Sequence, residues 1–174
     1  AGHALGETSE VDFPGYHVPQ AEIQPGLYRT VTGAEALAYG LAMGAQLAKV
    51  ELFLGSYPIT PASSLLHNLA RLKQFGVTTF QAEDEIAAAC SAIGASYAGS
   101  LGVTSSSGPG VALKTEAIGL AIGVELPLIV VNVQRAGPST GMPTKTEQSD
   151  LYQSVYGRNA DSPVVVLAAR SPVD

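Results

Sequence analysis

The chain has 174 residues, 46% hydrophobic but only 6% aromatic, which supports one domain with a proper core and leaves two full domains cramped. Its net charge of −6 offers no basic stripe to release counterions, so nucleic-acid and anionic-membrane binding are not expected. No apolar run approaches the ~18 residues of a membrane span. Residues 1–29 lack the charged and apolar regions of a signal peptide, and with a single thiol a cytoplasmic location is expected.

Residues 1–29 hold Gly, Pro, His and scattered acids without periodicity and are predicted to be a linker or N-terminal arm. Residues 30–174 read as one α/β domain. Thr32-Gly-Ala-Glu35 has the form of a capping box and opens a small-residue helix that runs to about Lys49. Val50–Leu54 is a predicted strand, Gly55–Pro61 its following loop, and Ala62–Gln74 a helix stopped at Gly76. The βα pattern then repeats: strand Val77–Ala82, helix Glu85–Ala98, strand Leu101–Ser105, and helix Gly108–Val124 with Pro109 in its first turn. Strand Leu128–Val133, a long polar loop Gln134–Lys145, helix Glu147–Tyr156 and strand Pro163–Ala168 complete the chain. Ending just after that strand, the domain is expected to be C-terminally incomplete.

Strands that are continuously apolar, rather than alternating, are buried on both faces. That predicts an α/β class with a mostly parallel sheet sandwiched by helices. Ligands of such sheets bind outside the carboxyl ends of the strands. The loops there are 55–61, 83–85, 104–110 and 134–145, which carry the unusual polar residues and are expected to converge on one edge.

Cys90 reads as a small buried hydrophobe on one helical face with Ile86, Ile93 and Tyr97. A disulfide scaffold or a cysteine-held cluster within the chain is thereby excluded. His3, His17 and His67 have no metal spacing, and no metal site is expected. Glu83, Asp84 and Glu85 stand at a strand–helix junction, where Asp84 suits an N-cap and Glu85 the first turn. Behind them, Ala87, Ala88, Ala92, Gly94 and Ala95 allow another backbone to come close, which would desolvate Glu85 and make it a usable proton donor. Thr104–Gly110 is a Ser/Gly turn without the lysine of a P-loop or the spacing of a dinucleotide fingerprint. Arg135 directly follows a buried strand, where a guanidinium serves either a structural ion pair or a carboxylate clamp. Thr144 and Lys145 offer further polar contacts.

Tyr57-Pro-Ile-Thr-Pro-Ala-Ser-Ser64, the helix Glu85-Ile-Ala-Ala-Ala-Cys-Ser-Ala-Ile-Gly94, Thr104–Gly110, and Gly137-Pro-Ser-Thr-Gly-Met-Pro-Thr-Lys-Thr-Glu-Gln-Ser-Asp-Leu151 together resemble the α subunit of 2-oxoacid:ferredoxin oxidoreductases. The likeness covers about residues 30–174, the last motif resembling the branch that acts on 2-oxoglutarate. It implies the pyrimidine-binding domain of a thiamine-diphosphate enzyme. Glu85 would hydrogen-bond the ring nitrogen N1′ of the cofactor and so activate its C2 position, with Ser107, Gly108 and Pro109 near the pyrimidine. Thr60 and Arg135 would take the carbonyl and carboxylate end of the substrate, and Thr144 would add selectivity.

The reaction implied is oxidative decarboxylation of a 2-oxoacid with coenzyme A, giving acyl-CoA, CO2 and reduced ferredoxin. This sequence has no Gly-Asp-Gly…Asn pattern for Mg²⁺ and the diphosphate, and no cluster cysteines. The resemblance assigns Mg²⁺, the diphosphate and the iron–sulfur cluster to a partner β subunit, and further domains to the remainder of the α subunit. The arm at 1–29 would tether the domain to a preceding one. A non-oxidative thiamine-diphosphate decarboxylase subunit and a non-catalytic α/β binding module are the alternatives.

Overall fold

The computed structural model describes residues 2–9, 15–159 and 161–174. It divides into two compact units, Ala1–Thr30 and Val31–Asp174. In the first, Gly2–Thr8 forms a short helix, α1, where no regular element was predicted. An i,i+4 pair between His3 and Glu7 lies along it at 3.4 Å. Residues 15–30 carry neither helix nor strand.

The second unit is built on a four-stranded, all-parallel sheet in the order β2-β1-β3-β4. The strands are β1 (Leu52–Ser56), β2 (Val77–Gln81), β3 (Leu101–Ser106) and β4 (Leu128–Asn132). The helices are α2 (Gly33–Ala48), α3 (Ser63–Leu69), α4 (Glu85–Tyr97), α5 (Gly108–Leu113), α6 (Thr115–Gly123) and α7 (Leu151–Tyr156). The predicted α/β class is what the chain adopts. On one side, Leu52 and Leu54 of β1 and Val103 of β3 pack with Ala38, Ala42 and Ala45 of α2 and Leu65 and Leu69 of α3. Successive strand residues face opposite ways, so Gly55 and Gly102 meet α4 on the other.

There the fold depends on having no side chain. A Cβ on Gly102 would collide with the carbonyl oxygen of Ala92, and one on Gly55 with that of Ala88. The α4 backbone therefore rests directly on the sheet, and backbone cannot step aside as a flexible side chain can. Gly102→Ala is expected to destabilise by roughly 1–3 kcal/mol, the usual cost of overpacking a close-fitted core. Denaturant unfolding checks this, and an unchanged midpoint would contradict it.

Several element boundaries differ from the sequence reading for identifiable reasons. Lys49 closes α2 in the left-handed conformation (φ 58°), and the Val50 N–H bonds back to Ala45 O. Val50 thus belongs to the helix cap, and β1 starts at Leu52. The helix foreseen over 62–74 ends at Leu69 and resumes as one 3₁₀ turn, Lys73–Phe75, before Gly76 (φ 75°). The single helix foreseen over 108–124 breaks at Lys114, whose side chain turns inward.

Helix α7 begins four residues later than predicted, at Leu151, because the Glu147 carboxylate accepts from Ser149 N and Oγ and holds that stretch as a turn. Pro163–Ala168 was predicted as a strand but is none in the structure. An apolar run becomes a strand only with a ladder partner, and among the described residues β4 pairs with β3 alone. Val165 and Leu167 consequently lie exposed.

The helical face assigned to Cys90 is also corrected. Cys90 is exposed, as are Ile86 and Tyr97. The buried face of α4 is instead Ala88, Ala89, Ala92, Ile93 and Ser96: Ala88, Ala92 and Ser96 fit the close helix–sheet approach at Gly55 and Gly102, while Ile93 packs with Ala117 and Ala121 of α6.

Candidate functional site

Parallel strands bring their carboxyl ends to one edge, and three loops there are joined by side chains. Asp84 is the N-cap of α4, its Oδ1 accepting from Ala87 N at 2.7 Å. That occupies one of the three adjacent acids, and Glu83 is exposed. Glu85, the first residue of α4, is half-buried, and its Cγ would lie 2.7 Å from a Cβ on Gly110. The missing side chain at Gly110 lets α5 close over Glu85. The same space is bounded by Ser106, which is fully buried, and whose Oγ has no hydrogen-bond partner among the described residues.

The next residue, Ser107, faces the other way. It is the N-cap of α5 and fully buried, and its Oγ donates to Thr60 O at 3.4 Å. Gly108 and Pro109 form the first turn of that helix. Thr60 O also accepts from Arg135 Nη1 at 2.8 Å, while Arg135 Nη2 donates to Ser139 O at 3.2 Å. Arg135 is 8% exposed, with its Nε buried and unpartnered. Two of five guanidinium N–H donors are thus spent on backbone, and a buried donor is left over. Beside it opens a cleft of about 310 Å³ whose walls include Thr60, Pro61, Gln134, Pro143, Thr144 and Lys145.

The long loop after β4 is folded back on itself. Ala136 N donates to Lys145 O at 2.7 Å, and Met142 N to Ala136 O at 3.1 Å. Asp150 pins its far end by accepting from the side-chain amides of Asn132 (2.6 Å) and Gln134 (2.5 Å). The edge therefore gathers Thr60, Arg135 and Thr144 on one side of the β3 terminus and Glu85 on the other, with Ser107, Gly108 and Pro109 between.

Sequence reasoning overlooked Lys114, Ser106 and Asp150. Lys114 is fully buried, its Nζ donating to Thr104 Oγ1 at 2.7 Å and Ser105 O at 3.2 Å. Desolvation pulls its ammonium down from 10.5 to about 8, opposed by attraction to the Glu85 carboxylate. A single basic residue in the mostly apolar, small-residue run 108–124, where Glu116 is the only other charge, was the available signal.

The lowered value has a consequence for stability. Below about pH 8 the folded chain carries a charge it would rather not bury, and between about 8 and 10.5 the unfolded chain binds more protons. This group's contribution therefore becomes more favourable as pH rises through that window, by roughly 3 kcal/mol in full. The unfolding free energy of wild type relative to Lys114→Met should rise by about that amount between about pH 7 and about pH 11. A flat difference would contradict a charged, buried Lys114.

The family model described as "Pyruvate flavodoxin/ferredoxin oxidoreductase, thiamine diP-bdg" matches residues 43–174. The chain belongs to this family. It is 59% identical over 174 residues to the 2-oxoglutarate oxidoreductase subunit KorA of Mycobacterium tuberculosis, covering all of this chain and 27% of that one. It is 48% identical over 123 residues to the 2-oxoglutarate synthase subunit KorA of Archaeoglobus fulgidus, covering 70% of this chain and 36% of the relative. The fold also matches a solved 2-oxoglutarate:ferredoxin oxidoreductase from Magnetococcus marinus with 2-oxoglutarate, coenzyme A and succinyl-CoA bound. That match has a TM-score of 0.67 and 46% identity, over 76% of this chain and 23% of that one. The chain thus spans roughly a quarter to a third of the length of these relatives. As a member of this family it is a thiamine-diphosphate-binding domain, and its relatives are oxidoreductase subunits.

Proposed function

We propose that this chain supplies the pyrimidine-side half of a thiamine diphosphate site in a 2-oxoacid:ferredoxin oxidoreductase of 2-oxoglutarate type. The reading is carried by the end of β3, where Ser106 adjoins Glu85 and Ser107 ties the Thr60–Arg135 pair to the same edge. The residues present fit an aminopyrimidine edge: a half-buried carboxyl, an unpartnered buried hydroxyl on Ser106, and a glycine at 110 that leaves the carboxyl room.

When bound, the cofactor supplies the electron sink for decarboxylation. Glu85 would hold the cofactor's ring nitrogen N1′ through a hydrogen bond, and Ser107, Gly108 and Pro109 would line the pyrimidine side. Arg135 would use the Nη N–H groups not spent on Thr60 O and Ser139 O to hold the carboxylate of the oxoacid, with Thr60 at the carbonyl end. Thr144, in the wall of the cleft, contributes to selection among oxoacids. The fixed guanidinium also excludes water by filling the space between the 57–61 and 134–145 loops.

The whole enzyme then performs oxidative decarboxylation of a 2-oxoacid with coenzyme A, yielding acyl-CoA, CO2 and reduced ferredoxin in the cytoplasm. A β subunit holds the diphosphate, Mg²⁺ and an iron–sulfur cluster, the remainder of the α subunit completes the assembly, and residues 1–29 act as a tethering arm. Calorimetry tests the division of the site. This chain alone is expected to show no tight thiamine diphosphate binding, whereas the complex with the β subunit binds it. Micromolar binding by the isolated chain would overturn the split.

A further inference from the structure

Asp150 stands at the N-cap of α7, where an aspartate ordinarily accepts from the first N–H groups of its helix. Asp84 does this for α4 at 2.7 Å. Asp150 does not: its side chain makes no cap bond to α7. It turns instead to the end of β4, where Oδ2 accepts from Asn132 Nδ2 at 2.6 Å and Oδ1 from Gln134 Nε2 at 2.5 Å. Gly108 leaves it room, since a Cβ there would stand 3.2 Å from Oδ2. Capping therefore does not account for this residue.

The contact closes a loop. Gln134 opens the segment after β4 and Asp150 ends it, so one carboxylate joins the two ends. Helix α7 has no buried residue, and polar side chains join it to the domain. Asn132 Nδ2 also reaches Ser154 Oγ at 3.4 Å, and Gln153 Nε2 reaches Thr115 Oγ1 at 3.3 Å. The Asp150 contacts are shorter than these and carry a charge, which roughly doubles the strength of a hydrogen bond. Bonds among Ala136, Met142 and Lys145 hold the loop only to itself. Arg135 fixes it to Thr60 O, and Asp150 fixes it at a second place. An ionised carboxylate only accepts, so the Gln134 amide cannot turn over while the contact lasts. Gln134 and Thr144 both lie in the wall of the cleft.

We propose that Asp150 is a positioning residue for the oxoacid, a carboxylate clasp that keeps the loop after β4 closed and holds Gln134 and Thr144 in place around the cleft. This rests on the reading of that cleft as the oxoacid site. Asp150 does not touch the substrate and acts only through the loop.

The test uses the assembled complex, 2-oxoglutarate as substrate, and the variants Asp150→Asn, Asp150→Ala and Arg135→Ala. Asparagine keeps the shape but turns an NH2 group against one of the two neighbouring amides. Without substrate, backbone amide exchange over 134–150, read by mass spectrometry, should quicken about 10-fold in both Asp150 variants, as loss of a charged hydrogen bond implies. KM for 2-oxoglutarate should rise about 10-fold with kcat nearly unchanged, the pattern of lost uniform binding. Substrate-free C2 exchange of bound thiamine diphosphate should stay close to wild type. Loop exchange as slow as in the wild type, an unchanged KM, or a loss of C2 exchange as large as the loss in kcat/KM overturns the clasp. Failure of both Asp150 variants to assemble also overturns it, because the residue then serves the fold. An unchanged KM in Arg135→Ala is a different failure; it removes the cleft as the oxoacid site, and the role of Asp150 falls with it.

Discussion

Glu85→Gln in the assembled enzyme is expected to slow C2 exchange and turnover by about 10²–10⁴-fold, the usual contribution of a general acid–base group. Glutamine is nearly isosteric, so the clearance against Gly110 is preserved and only the exchangeable proton is lost. The neighbouring acids supply the contrast. Asp84 is committed to Ala87 N as the cap of α4, so Asp84→Ala should cost about 0.5–2 kcal/mol of stability and leave exchange close to normal. Glu83 is exposed, and Glu83→Gln should be silent in both respects. If Glu83→Gln abolishes exchange while Glu85→Gln does not, the wrong carboxylate has been assigned.

Arg135→Ala should cost about 2–5 kcal/mol in kcat/KM with 2-oxoacids, the penalty for leaving a buried ionic partner unpaired. Substrate-free C2 exchange should stay near normal. The guanidinium is already oriented by Thr60 O and Ser139 O, so its unspent donors are presented without further loss of side-chain freedom. Arg135→Lys should not restore the activity, since an ammonium lacks the planar fork that holds both a backbone carbonyl and a carboxylate. Arg158 cannot substitute. Its donors are taken by the carbonyls of Ser154, Val155 and Ser162 around the end of α7. Should Arg135→Ala impair substrate-free exchange as severely as Glu85→Gln, the residue serves the cofactor or the fold, and the carboxylate clamp is refuted.

The parts of this molecule legible in its sequence are those governed by local rules. The repeating βα alternation marked the parallel strands, with the apolar run of β4 as its clearest member, Asp84 and Thr32 marked helix starts through their caps, and the Gly/Ser/Pro loops lie at the carboxyl ends of the strands. What stayed hidden depends on partners distant in sequence. Pro163–Ala168 has the composition of a strand, but composition does not say whether a neighbouring edge is there to pair with. Cys90 was placed by helical spacing, whereas the buried face of α4 is chosen by how closely its backbone approaches Gly55 and Gly102. Lys114 escaped notice because a lysine in a helix ordinarily reaches solvent. Only the fold shows it bent inward onto Thr104 and Ser105.

The central claim is that Glu85 is the carboxyl that meets the cofactor's pyrimidine. An experimental structure of the assembled complex with thiamine diphosphate bound tests it most directly. A Glu85 carboxyl oxygen is expected within hydrogen-bond reach of N1′, about 2.6–3.2 Å, with Ser107–Pro109 along the ring. A pyrimidine ring whose N1′ meets Glu83, or no carboxylate of this chain at all, would contradict the account.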